Sequence, residues 1–206
     1  MLDAVQHGEP LEGLDLRDAD LSGLDLGGAL LIDSDLRGAN LRGTNLRESM
    51  IRGCRFDGAD LSGAGFELCT VDGGSLEGAR LSGANLCAAK LLSVAAKGVD
   101  LRDADLRQLT VTGGALDDAQ LSGARLEQAT FLDCTLAGID LRGQELTSVT
   151  LLGADLRTAK LEGARLERVI LVGADLRGQQ LGSLDCLHTQ FIDARLEEAV
   201  LSGAKL

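Results

Sequence analysis

Every fifth residue from Leu11 to Leu206 is leucine or an apolar substitute, with no slip of register. About forty positions obey the rule, and the departures from Leu are Ile51, Phe56, Phe66, Val71, Ala96, Val111, Phe131, Cys186 and Phe191. None is polar, and all four Phe residues fall in the register. A period of five matches neither the 3.6 of an α-helix nor the 2 of a flat strand. It suits a chain that turns a corner every five residues and points a side chain inward between corners. An internal repeat of this regularity implies a solenoid, and the whole fold follows from it.

The second inward position supports the same reading. Two residues before each central residue stands a small one, as at Ala19, Ala39, Ala59, Ala64, Ala79 and Ala84. The unit reads Ala59-Asp60-Leu61-Ser62-Gly63, and again Ala174-Asp175-Leu176-Arg177-Gly178. This motif closely resembles the pentapeptide-repeat family, and the resemblance covers residues 11–206. It implies an all-β fold, a right-handed quadrilateral β-helix with four pentads per coil. About ten coils are expected, and at strand spacing the rod is about 45–50 Å long. Residues 1–10, ending at the only proline, Pro10, read as an N-terminal cap, and 11–206 as one uninterrupted domain.

The expected interior is a ladder of Leu over Leu with Ala between. Ala96 is flanked by Val94 and Val99 in the small slot, and Cys186 is preceded by Leu184. These swaps conserve volume, as a close-packed core requires. Cys54, Cys69, Cys134 and Cys186 occupy inward positions and read as small core residues, while Cys87 points outward. The five cysteines form no disulfide or metal pattern, and no apolar stretch is long enough to span a membrane. With no secretory leader evident, a cytoplasmic location is expected.

Net charge is −12, and much of it lies near the start, where Asp3, Glu9, Glu12, Asp15, Asp18, Asp20 and Asp25 outnumber Arg17. Further along, Asp alternates with Arg. Direct nucleic-acid binding is not expected from such a balance. His7 and His188 are far apart, no nucleophile–base set is present, and no glycine run leads into a phosphate-loop lysine. A convex rod also lacks a cleft. The expectation is a non-enzyme with no cofactor and no metal.

Folded at twenty residues per coil, the sequence separates four columns. Those through Leu16, Leu21 and Leu26 carry polar or charged outward neighbours. The column through Leu11, Leu31, Ile51 and onward does not: one outward register gives Leu30, Met50, Thr70, Thr110, Thr130, Thr150 and Ile170. The other gives the stripe Leu92, Leu132, Leu152, Val172 and Ile192, a candidate contact surface. Corners are expected in two kinds. Gly63, Gly83 and Gly123 would take positive φ, and Glu48, Gln108 and Gln128 would avoid it.

The reading that follows is a rigid scaffold for protein partners, with a homodimer expected. The sequence stops on a central residue, so an end contact through Phe191, Leu196, Leu201 and Leu206 is favoured slightly over the stripe. The family resemblance implies two alternatives. Some members imitate duplex DNA and bind type II topoisomerases, protecting DNA gyrase from quinolones. Others form modules linked to type VI secretion, which the opening Gly8-Glu9-Pro10-Leu11-Glu12-Gly13-Leu14-Asp15-Leu16 resembles.

Overall fold

A computed structural model describes residues 2–182 and 184–205. A short helix, α1 (Leu2–Gln6), precedes the repeats and packs Ala4 and Val5 against the first coil. Eight strands follow twenty residues apart: β1 (Leu11–Glu12), β2 (Leu30–Ile32), β3 (Met50–Arg52), β4 (Thr70–Asp72), β5 (Lys90–Leu92), β6 (Thr110–Thr112), β7 (Thr130–Leu132) and β8 (Thr150–Leu152). They form one parallel sheet in chain order, Leu31 pairing with Ile51, Ile51 with Val71 and so on to Phe131 with Leu151. The protein is an all-β solenoid of about seven turns along this sheet. Single parallel bridges at the same spacing continue on other lines, from Asp15 with Asp35 to Asp185 with Lys205.

One hydrophobic core runs the length of the solenoid. Leu21, Leu61, Leu101, Leu141 and Leu181 are buried, and so are Ala59, Ala79 and Ala119. Each buried leucine removes enough apolar surface from water to contribute about 1.5–3 kcal/mol before entropy is subtracted. Ala96, Val94, Val99, Cys186 and Leu184 are all buried, so the small-for-large exchanges do fill one space.

The backbone hydrogen bonds explain the polar half of the repeat. Around Leu36, the Leu36 N–H donates to the Arg55 carbonyl of the next coil and the Asp35 N–H to the Leu14 carbonyl of the previous one. The Gly38 N–H donates to the Asp57 carbonyl, and the Ala39 N–H closes a tight turn on the Leu36 carbonyl. One N–H per pentad is left, that of the residue after the central leucine. The aspartate before the leucine takes it: Arg37 N–H donates to Asp35 Oδ1 at 3.2 Å, Ser62 to Asp60 at 3.1 Å, and Arg102 to Asp100 at 3.1 Å. Asn40, Asn45, Asn85 and Ser75 do the same where Asp is absent. Buried or half-buried backbone donors need a partner, and this slot supplies one.

The expected division of corners is overturned. Positive φ occurs at Gly63 (67°), but also at Glu48 (58°), Gln108 (58°) and Gln128 (63°). Nearly every described pentad closes with the left-handed conformation two residues past the centre, Thr158 being an exception, so most side chains there accept the strain that glycine avoids. Two kinds of corner do exist, divided on another line. Corners after Leu16, Leu21 and Leu26 carry the tight-turn bond, as in Ala19 N–H to Leu16 O at 3.2 Å and Ala29 N–H to Leu26 O at 3.0 Å. Among the described residues, the corners that follow β1 to β8 lack it, and pairing in β2 to β8 extends to a third residue, as in Ile32 with Arg52.

Candidate interaction surface

The third paired residue on the sheet changes what its outer surface must carry. Elsewhere an Asp, Asn or Ser takes the leftover N–H in many coils. Within the sheet the ladder engages that segment, and none of these aspartate contacts occurs there among the described residues. The flanking positions are thereby open to β-branched and aliphatic side chains, which pack well on a pleated surface.

The wide corner also frees the N–H that closes the turn elsewhere. Small polar side chains on the inner side receive it: Leu14 N–H donates to Ser34 Oγ at 3.1 Å. The Cys54 thiol donates to the Arg52 carbonyl and the Cys134 thiol to the Val111 and Leu132 carbonyls, while burial raises both thiols above their usual range. These cysteines therefore do more than fill space. The clue was their recurrence, with Ser34, at a single slot of the twenty-residue coil.

On the outside, Leu92, Leu132 and Leu152 lie on one ladder through Thr112. Val172 and Ile192 continue the line past β8, where the Gly153 N–H donates to the Val172 carbonyl and the Gly173 N–H to the Ile192 carbonyl. The stripe is less exposed than its sequence suggests. Leu152 and Ile192 are exposed, at 37% and 54%, but Leu92, Leu132 and Val172 are half-buried by their neighbours in the ladder. Met50, at 54%, adds an apolar side chain in the other register. Leu68 and Leu187 are exposed too, but both sit at corners of the Leu26 column, away from this face. Of the end-contact residues, Phe191, Leu196 and Leu201 pack half-buried against the core, and Leu206 lies outside the described residues.

The other lines of the solenoid are covered by ion pairs. Arg37 holds Asp35 through Nε at 2.8 Å and Nη2 at 2.6 Å, and the same fork joins Arg102 to Asp100, Arg157 to Asp155 and Arg177 to Asp175. Hydrogen bonds from the arginine hold Asp35, Asp140 and Asp175 down at about 2. These carboxylates are saturated by one backbone and two guanidinium donors. His7 and His188 are exposed. Among the described residues no three of His, Cys, Asp and Glu converge as metal ligands would, and no helix is long and apolar enough to cross a membrane.

The family model for pentapeptide repeats matches in eight copies, over residues 29–67, 75–108, 133–163 and 159–197. The chain belongs to the pentapeptide-repeat family. No curated protein sequence matches it. Among solved structures, the plasmid-mediated fluoroquinolone resistance protein QnrB1, trypsin-treated, aligns with a TM-score of 0.64 at 18% identity, covering 87% of this chain and 90% of the other. A second trypsin-treated form of QnrB1 gives 0.62 at 16% identity, over 91% and 89%. HetL, a pentapeptide-repeat protein involved in heterocyst differentiation regulation in the cyanobacterium Nostoc, is 27% identical over 98% and 95%, with a TM-score of 0.37. At these identities the QnrB1 match speaks for a shared fold.

Proposed function

We propose that this pentapeptide-repeat protein is a non-catalytic rod that binds other proteins through the outer face of its parallel sheet. The observation that carries this reading is the apolar ladder from Leu92 to Ile192, on the one line where the aspartate cap is absent. A continuous apolar strip on a folded surface usually marks a contact. We further infer a right-handed, four-faced solenoid of about ten coils. Pairing of residues twenty apart recurs on lines five residues apart and reaches Lys205. Residues 1–10 are taken as its cap, and the five free thiols suit the cytoplasm.

The test is affinity capture with the wild type beside a Leu132→Glu/Leu152→Glu variant that retains the wild-type circular dichroism. Specific partners should be lost from the variant. Equal capture by both would reject the face as the binding surface.

A second reading is a ligand of type II topoisomerases. It is supported by the fold shared with a fluoroquinolone resistance protein and by the net charge of −12. The comparisons lend it more than they lend the first reading. The surface chemistry lends it less, because carboxylates such as Asp35, Asp100, Asp155 and Asp175 are clamped by arginines two residues along the chain.

A further inference from the structure

Four charges stand on the outer face of the sheet. Glu12, Arg52, Asp72 and Lys90 are exposed and flank the central column, two of each sign. Among the described residues none of the four forms an ion pair. Arg52 is the one arginine among them left out of an otherwise general pattern, in which every other arginine meets a carboxylate. A face that is apolar over its second half, with unpaired and balanced charge over its first, suits a partner carrying the same pattern.

We propose that a second copy of this chain packs on the face, sheet against sheet, with the two rods side by side and parallel. This rests on the reading of the face as a protein-binding surface and names its occupant. A two-fold axis along the rods sets one outward rank over the other, rung for rung. Thr130 lies over Leu132 of the second copy, Thr150 over Leu152 and Ile170 over Val172. Lys90 comes opposite Leu92 and one rung, about 4.8 Å along the rod, from Asp72 of the second copy. The axis repeats that pair at the same height, so two ion pairs close one end of the apolar contact. No like charges are opposed, since Arg52 meets Met50 and Asp72 meets Thr70. The antiparallel alternative at full overlap places Arg52 and Asp72 against Leu152 and Leu132 and strands their charges on apolar surface.

The area is sufficient. One of four faces on a molecule with 9221 Å² of accessible surface presents about 2,000 Å². Covering a third to a half of it on each copy removes about 1,400–2,000 Å² in total, the range of stable specific interfaces. Sheets packed in this way sit about 10 Å apart with strand directions nearly aligned, a spacing that leucine, threonine and valine side chains fill.

Sedimentation of the full chain at about 50 µM tests the proposal. The wild type should run at twice the 21.5 kDa chain mass. Leu132→Glu/Leu152→Glu should run as a monomer with unchanged circular dichroism and melting. Lys90→Glu and Asp72→Lys should each weaken the dimer by about tenfold, and Lys90→Glu/Asp72→Lys should recover it. A wild-type monomer at 100 µM would overturn the proposal. So would a dimer indifferent to all these changes but broken by Leu201→Glu, which would place the contact at the end of the rod. If the wild type is monomeric yet captures a partner that the leucine variant loses, the second copy is wrong and the protein-binding reading stands. If neither binding nor dimer responds to the leucine variant, both fail.

Discussion

Aspartate before the central leucine is the residue whose role the repeat conceals. Its pairing with arginine is visible in the sequence, and exposed pairs of that kind are worth little. Its bond to the leftover backbone N–H is a separate contribution, because a backbone donor without a partner is costly. Asp100 is buried and serves both purposes. Asp100→Ala should cost about 1–2 kcal/mol in urea denaturation, and Arg102→Ala less. Asp100→Asn should retain most of the stability, since Asn40, Asn45 and Asn85 already accept the same N–H. Glycines also separate into kinds. Gly63 has φ near 67° and open space where a methyl group would stand, so Gly63→Ala should cost about 1 kcal/mol. At Gly74, φ is 77° and a Cβ would overlap the Cys54 carbonyl oxygen, a backbone atom that cannot swing aside. Gly74→Ala should therefore cost about 3 kcal/mol, read as a lower urea midpoint at constant slope.

At the scale of the coil, the ladder of leucines and the ladder of ion pairs respond to different insults. Leu101 is 3% exposed, and Leu101→Asp places an unpaired charge among leucines. A loss above about 4 kcal/mol is expected, seen as an unfolded or insoluble product by circular dichroism. Acid acts on the outer ladder. Asp35, Asp140 and Asp175 are held at about 2 by their arginines, against an ordinary 3.8. A carboxylate whose folded value is depressed adds stability above its unfolded value and loses it as pH falls toward the folded one. Urea midpoints should thus be flat from pH 7 to 5 and fall between about pH 4 and pH 2. A decline already complete at pH 5 would contradict the assignment. The wide corner after β2 to β8 is the third element-scale feature. It turns one line of the coil into a true sheet, whose surface lacks the aspartates that recur on the other lines.

For the molecule as a whole, the surface decides between two uses of the same rod. Imitation of duplex DNA needs carboxylates free to meet a basic groove. Here Asp35, Asp100, Asp155 and Asp175 are bound in forks by arginines two residues away, while among the described residues carboxylates without an ion pair are spread along the chain, from Glu9 and Asp18 to Asp103, Asp133 and Asp193. Weak or no inhibition of DNA gyrase supercoiling is expected at micromolar protein. Clear sub-micromolar inhibition, relieved by neutralising Asp15, Asp18, Asp20 and Asp25, would establish the topoisomerase reading instead.

The five-residue period determined by itself that this chain is a solenoid and which residues form its core. Burial repeats with the period, so Leu101 or Ala59 could be placed without coordinates. The corners could not be assigned that way. Whether Glu48 or Gln128 accepts a left-handed backbone depends on closing the coil, a constraint that overrides the local preference of any one residue. The aspartate contact to the next N–H but one could not be read from composition, because it matters only where stacking of the coils leaves that donor without a backbone partner. The stripe was legible as a list of residues. How much of it stays exposed, and which charges beside it lack a partner, was decided by the stacking of one coil on the next.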